Sequence, residues 1–230
     1  MGVKPGNSGH RVEARGRAHR RVRADAQRSM DALLEGAMAV FATSGVDAPV
    51  RQIAAKAGVG LGTVYRHFPR RSDLIAAVFR HEIDACADAA PALAVAHDPG
   101  EALARWMLRY VDFVAAKRGL APALHSGDPA FDTLRAYFEQ RLRPALQTLL
   151  GSAAAAGEVR TDVDADDILG AVTSLCMHAF DQGPEHARRM VSLFVDGLRY
   201  GASRSARKAR LVSPKRGRNG RQELPEAPSG

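Results

Sequence analysis

Apolar residues recur at three- and four-residue spacing along most of the chain, which is the pattern of amphipathic α-helices. The clearest pair of such helices lies within residues 50–74, VRQIAAKAGVGLGTVYRHFPRRSDL. Ile53 and Ala57 place a narrow apolar stripe on the first helix, and Val64 and Phe68 place one on the second. The small alanines of the first helix allow the two helices to cross closely. The pattern predicts a helix-turn-helix unit.

The turn between these helices is predicted at Gly58, because glycine adopts the left-handed backbone that closes a helix and reverses the chain. Pro69 ends the second helix. The outer surface of this second helix carries Thr63 and Arg66, with Leu61, Gly62 and His67 at the helix ends. A protruding helix of this kind fits the major groove of B-form DNA.

Beyond Asp73 the helical pattern continues, and the scarcity of strand-favouring runs indicates an all-α fold. We expect a connecting helix that breaks near Pro91, followed by helices over residues 99–118 and 131–150. The acids around Asp166 and Asp167 favour the start of another helix, and Pro184 opens the last one. The last two helices have broad apolar faces. They are predicted to pair with the same helices of a second chain, or alternatively to close the monomer core.

The central helices are the place where a helical sensor would line a cavity for a small molecule. Candidate pocket residues are Trp106, Phe113, His125, Phe131, Tyr137 and Met177. For each of them, simple packing in the core is the competing interpretation.

Charge is unevenly distributed along the 230 residues. Residues 1–75 hold 13 Lys and Arg against 6 acids, residues 76–200 hold 12 against 17, and residues 201–230 hold 8 against 2. A polyanionic partner would therefore meet the ends of the chain. Residues 1–24 and 202–230 lack an apolar stripe and are predicted to be disordered. The first of these basic segments is either a solvated tail or an arm that contacts DNA.

Cys86 and Cys176 lack the spacing of a zinc site or a disulfide framework, so we predict no metal, no cofactor and a reducing cytoplasmic setting close to the nucleoid. The acidic run that includes Asp162 and Asp164 lacks the glycine and ligand spacing of a calcium loop. No apolar stretch approaches the roughly 20 residues that cross a membrane. No nucleophile with its base is apparent either, so an enzyme is not expected.

The segments RQIAAKA and GVGLGTVYRHFPRRSDLIAAVF, preceded by LLEGAMAVFATSG, resemble the amino-terminal domain of TetR-type transcriptional regulators. RYVDFVAAKRGLAPAL and GEVRTDVDADDILGAV are similar, less specifically, to the central domain of some of these regulators. The resemblance implies a helix-turn-helix domain over residues 25–72 and a larger ligand-binding and dimerisation domain over residues 73–201. It also implies that the tilt of the connecting helix switches DNA binding.

The same resemblance implies two sets of DNA contacts. Leu61, Gly62, Thr63 and Arg66 would face the bases, whereas Val50, Arg51, Tyr65, His67 and Arg71 would lie near the phosphate backbone. The expected protein is a homodimeric repressor that a small-molecule effector releases from a palindromic operator. The alternative is an architectural protein that binds DNA with little sequence preference through its basic tails.

Overall fold

In the computed structural model, residues 8–179 and 182–212 are described, with side chains described for residues 25–179 and 182–200. These residues form helices and short connections, with no strand in the described part of the chain, as the sequence predicted. The helices are α1 (Ser8–Ser44), α2 (Val50–Ala57), α3 (Leu61–His67), α4 (Arg71–Ala96), α5 (Pro99–Leu124), α6 (Leu134–Ala155), α7 (Ala165–Ala179) and α8 (Pro184–Val212), with a 3₁₀ turn at Pro129–Phe131.

Helices α1, α2 and α3 pack into a small amino-terminal unit. Phe41 of α1, Ile53 of α2 and Val64 of α3 are each at most 1% exposed. Gly36 of α1 lies against the backbone of Ala57, where a Cβ atom would come within 3.2 Å of the Ala57 nitrogen. The absence of a side chain at Gly36 therefore sets the close approach of α1 and α2.

The turn between α2 and α3 has the geometry that the sequence predicted. Gly58 has a φ of 68°, in the left-handed region. The Gly58 N–H donates to Ala55 O at 3.3 Å and the Val59 N–H donates to Ala54 O at 3.0 Å. This pair of hydrogen bonds closes α2 as a Schellman motif and turns the chain directly into α3.

Helix α4 connects the amino-terminal unit to the rest of the protein. Asp73 accepts hydrogen bonds from the Arg70 backbone N–H at 3.2 Å and from its guanidinium at 2.6 Å, which secures the start of the helix. The predicted break near Pro91 is wrong, because α4 continues to Ala96 with Pro91 inside it. Proline removes one backbone hydrogen bond, and here its exposed ring and the surrounding helix-forming alanines accommodate that loss.

Helix α5 is the central helix of the larger domain, as its apolar residues predicted. Trp106 and Met107 are fully buried, and the Trp106 indole N–H donates to Cys86 O on α4 at 2.9 Å. The rings of Trp106 and Tyr110 stack with centroids 5.7 Å apart. Arg105 and Arg109 lie on the exposed side of α5.

The predicted helix over residues 131–150 is divided in the structure. Phe131 lies in the 3₁₀ turn, where the Asp128 carboxylate accepts the Ala130 N–H at 2.8 Å, and α6 begins at Leu134. The short cap at Asp128 competes with continuous helix, and periodicity alone does not reveal it. Helix α7 begins at Ala165, where the Asp164 carboxylate accepts the Asp166 N–H at 2.8 Å, as the acidic run predicted.

Both ends of the described chain are more helical than the sequence suggested. The backbone of residues 8–24 continues α1, and α8 extends to Val212. The missing apolar stripe argues against packing, but Arg and Ala are good helix formers and no proline interrupts either stretch. Of the segments predicted to be disordered, residues 1–7 and 213–230 lie outside the described residues.

Candidate nucleic-acid interface and ligand cavity

The outer side of α3 presents the side chains predicted to meet DNA. Leu61 is 44% exposed and Tyr65 is 52% exposed, whereas Val64 between them is 1% exposed. Arg66 and His67 are also exposed, and Thr63 is half-buried. The buried valine fixes the rotation of α3 about its axis, so the helix keeps one side towards solvent.

The start of α2 carries two more of the residues that were predicted to lie near the DNA backbone. Arg51 is exposed, and Val50 is partly buried against the core. No side chain caps α2, whose N-cap residue is Pro49. The first backbone N–H groups of a helix carry a partial positive charge and suit an anionic oxygen.

Arg71, predicted to lie near the DNA backbone, has an internal role in the structure. Its guanidinium donates to Val46 O and, at 2.7 Å, to Ala48 O in the loop between α1 and α2. These hydrogen bonds tie the start of α4 to that loop across more than twenty residues of sequence. The pattern of the sequence gives no signal of this contact, because it links two segments that are distant in the chain.

A cavity of about 880 Å³ lies among α4, α5, α6 and α7. Three of the six predicted pocket residues line it, namely Phe113, His125 and Phe131. The lining residues that the sequence reasoning missed include Phe79, Tyr110, Lys117, Leu134, Arg135, Phe138, Glu139, Arg143, Asp166, Leu169 and Thr173. On α5, Tyr110 lies three residues before Phe113 and Lys117 four residues after it, and this helical spacing was the available signal.

The other three predicted pocket residues lie elsewhere. Trp106 is packed in the core behind Tyr110. The Tyr137 hydroxyl donates to the Asp84 carboxylate of α4, with oxygens at 2.7 and 2.8 Å. Met177 is 51% exposed on the outer side of α7. Helical spacing identifies the apolar side of each helix, but it does not tell which neighbour that side meets.

Hydrogen bonding in the cavity wall determines which hydroxyl of the Tyr110–Thr173 pair is the donor. The Thr173 hydroxyl donates to Leu169 O at 2.8 Å, so the Tyr110 hydroxyl, 2.8 Å from Thr173 Oγ1, is the donor of that pair. Burial raises the pKa of Tyr110 well above its usual range, and its hydroxyl stays protonated. Its oxygen retains a lone pair that a ligand can use.

The charged residues of the cavity are mostly paired. Arg143 on α6 forms an ion pair with Asp166 on α7 at 2.8 Å, and Arg135 pairs with Glu139 at 3.1 Å. Lys117 on α5 is half-buried, and burial lowers the pKa of its ammonium group. The wall therefore combines aromatic rings with one basic side chain that is partly removed from water.

A polar seam, formed by Asp84 and Asp88 of α4 with Tyr137 and Arg141 of α6, joins these two helices. The Arg141 guanidinium donates to Asp84 and to Asp88, each at 2.7 Å. Both carboxylates raise the pKa of Arg141, which is permanently charged. Phe138, one residue after Tyr137, lines the cavity. Helix α6 thus contacts the cavity on one side and the connecting helix α4 on another.

The outer side of α7 and α8 carries large apolar residues in contact with solvent. Met177 is 51% exposed and Leu193 is 63% exposed. Between the two helices lies a shallow hollow of about 570 Å³, lined in part by Met190 and Phe194. The inner sides of these helices are buried, with Val172 and Val191 fully covered. Packing within one chain therefore satisfies only one side of each helix.

Two family models match the chain. Residues 33–78 match the bacterial regulatory proteins of the tetR family, and residues 98–200 match the C-terminal domain of SbtR-like transcriptional regulators. The crystal structure of a TetR transcriptional regulator from Streptomyces coelicolor is 37% identical, with a TM-score of 0.66 over 74% of this chain and 97% of that one. The chain belongs to the TetR family of transcriptional regulators.

A TetR transcription regulatory protein from Mycobacterium vanbaalenii is also 37% identical, with a TM-score of 0.61 over 77% of this chain and 99% of that one. The transcriptional repressor LfrR of Mycolicibacterium smegmatis is 45% identical over 58 residues, which span 25% of this chain and 30% of the repressor. These likenesses confirm an all-α TetR-family regulator with an amino-terminal helix-turn-helix DNA-binding domain and a carboxyl-terminal helical domain.

No helix among the described residues combines the length and apolar character needed to cross a membrane.

Proposed function

We propose that this TetR-family regulator is a sequence-specific repressor that binds a palindromic operator as a homodimer and leaves it when a small molecule fills the α4–α7 cavity. The main support for the proposal is the exposure of the outer side of α3. Leu61 and Tyr65 are exposed while Val64 is buried, so α3 is anchored in the protein and presents one side to solvent. A single helix has the width that a major groove admits. The partial likeness to the repressor LfrR supports repression over activation.

In this proposal, α3 reads the bases and its surroundings hold the phosphates. Arg66 reaches guanine, Thr63 and Leu61 contact a thymine methyl, and Gly62 allows close approach of the backbone. The contacts to the phosphate backbone come from Val50, Arg51, Tyr65, His67 and Arg71. For Arg71 this role is added to its hydrogen bonds with the α1–α2 loop, and its remaining N–H groups are the available donors.

The homodimer uses the outer sides of α7 and α8, which pair with the same helices of a second chain as a four-helix bundle. Met177 and Leu193 support this pairing, because exposed apolar residues grouped on two adjacent helices around the hollow of Met190 and Phe194 mark an interaction surface. A twofold dimer presents two copies of α3, and its operator therefore repeats with the same symmetry.

The effector acts through the helices around the cavity. A molecule that displaces Phe138 shifts α6, and the Asp84–Arg141 hydrogen bonds carry the shift to α4, which leads directly back to α3. A coupling of about 1–3 kcal/mol is sufficient to change DNA affinity by roughly 5 to 150-fold.

The experiment that tests sequence reading replaces Thr63 and Arg66 together by alanine. Affinity for the preferred duplex should fall to that for a scrambled duplex of equal length, with the dimer intact. Arg105→Ala is the matched control, since Arg105 is an exposed arginine of α5 paired with Glu101 at 2.8 Å, remote from α3 in sequence. Retained preference in the double variant would show that α3 does not read the bases.

The dimer is tested by Leu193→Glu, with Val95→Glu as the control. Val95 is 90% exposed at the end of α4, so the control adds the same charge to an exposed apolar site outside α7 and α8. We expect light scattering to give a monomer for the first variant and a dimer for the control. A dimer in both variants would place the interface on another surface.

A further inference from the structure

We propose that the α4–α7 cavity selects an amphipathic organic acid, with a ring-bearing apolar body and one carboxylate, and that Lys117 is the residue that pairs with the carboxylate. This inference rests on the proposed function, because it requires that the cavity binds an effector, and it adds the chemical class of that effector. The evidence is the distribution of charge and of aromatic rings around the cavity.

The charges of the wall cancel in pairs except at one residue. Asp166 is neutralised by Arg143 across the gap between α6 and α7, and Glu139 is neutralised by Arg135 along α6. Among the ion pairs of the residues that the structure describes, those of the lining are these two, and Lys117 belongs to neither. The net positive charge that remains in the cavity lining therefore belongs to α5.

The environment of Lys117 favours an anionic partner. Its neighbours along the lining side of α5 are Phe113 and Val114, and the side chain is half-buried. An ammonium group that loses part of its hydration without gaining a carboxylate is costly, as the lowered pKa of Lys117 reflects. A bound carboxylate restores the lost interaction, whereas a cationic ligand adds repulsion.

The remainder of the cavity suits an apolar ring system. The ring of Phe113 has centroid distances of 5.7 Å to Phe79, 5.8 Å to Tyr110 and 5.9 Å to Phe138. Such an aromatic wall favours planar rings through stacked and tilted contacts. The free lone pair of the Tyr110 hydroxyl adds one acceptor for a hydroxyl or N–H on the ligand body.

The test compares two probes of equal shape by isothermal titration calorimetry on the full chain: naphthalene-2-carboxylate and its neutral isostere naphthalene-2-carboxamide. We expect the carboxylate to bind at least tenfold more tightly than the carboxamide. In Lys117→Met, which keeps the length of the side chain and removes its charge, that preference should disappear. Lys117→Arg should keep it, and thermal unfolding of both variants verifies that they are folded.

Arg109→Met is the matched control, because it removes an exposed positive charge from the same helix outside the cavity lining and should leave the preference in place. Loss of the preference in this control would assign selectivity to the general positive field and overturn the role of Lys117. Equal binding of the two probes by the unaltered protein would refute the ligand class and leave a ligand-responsive repressor standing. Binding of neither probe would also refute the ligand class. A separate measurement of operator binding then tests the proposed function.

Discussion

Replacing Gly36 by alanine tests how the DNA-binding unit holds α2 and α3. A Cβ atom at this position would lie 3.2 Å from both the Cβ and the nitrogen of Ala57, and 3.3 Å from its Cα. Ordinary contacts of a Cβ atom are at 3.4–4 Å, so α2 must move or the substitution must remain strained. Because two of the three neighbouring atoms belong to the backbone of α2, no side-chain rotation relieves the crowding.

Two opposing effects determine how much Gly36→Ala changes the free energy of unfolding. Alanine in place of glycine inside a helix contributes about 0.8–1.0 kcal/mol of helix propensity. Crowding of a packed contact costs about 1–3 kcal/mol. Gly151→Ala in α6 is the matched control, since a Cβ there meets nothing within 4 Å. The propensity gain is common to both variants, so their difference in stability isolates the crowding, at about 1–3 kcal/mol.

The assay is denaturant unfolding of the two variants beside the unaltered protein, followed by DNA binding. Gly151→Ala should raise the free energy of unfolding, whereas Gly36→Ala should lower it by about 1 kcal/mol and should weaken DNA binding as α2 and α3 shift. In thermal unfolding, each kcal/mol corresponds to roughly 2–4 °C for a chain of this size. Equal stabilisation by both substitutions would refute the close packing of α1 against α2.

Three further predictions concern the core, the thiols and the basic arm. Trp106→Phe should lower the free energy of unfolding by about 2 kcal/mol, since it removes a buried hydrogen bond and opens a small void; an unchanged denaturation midpoint would contradict this packing. Burial raises the pKa of Cys86 to about 12 and that of Cys176 to about 11, so both are protonated at pH 8. A chromogenic disulfide should therefore react with two thiols in denaturant and with neither in the native protein, and a fast native reaction would show an accessible thiolate. Removal of residues 1–20 should reduce the slope of log affinity against log salt concentration, as expected for a basic segment that contacts phosphates, and an unchanged slope would assign it no contact.

The helix-turn-helix could be predicted from the sequence because its determinants are local. Ile53, Val64 and Gly58 lie within twelve residues, and each acts through the geometry of its own helix or turn. The order and type of the later helices followed from the same periodicity. The predicted helix bounds were wrong at two places, because the cap at Asp128 ends one helical stretch and α4 continues through Pro91.

The cavity could be predicted only in part, because it is formed between helices. Phe113 and Met177 are both apolar residues at helical spacing, yet one lines the cavity and the other faces solvent. Lys117 was missed because a single lysine in a helix is usually solvated, whereas in the fold it lines the cavity and is half-buried. The hydrogen bonds of Arg71 with the α1–α2 loop were missed for the same reason.

Selection of bound duplexes from a random DNA library shows whether a twofold pair of α3 helices reads a defined sequence. The purified full chain is incubated with the library and the retained sequences are determined over successive rounds. We expect enrichment of a palindrome whose half-sites are contacted by Arg66 and Thr63, and loss of that enrichment when both are replaced by alanine. A pool that remains random would contradict sequence-specific reading and would favour an architectural protein that binds DNA through its basic segments.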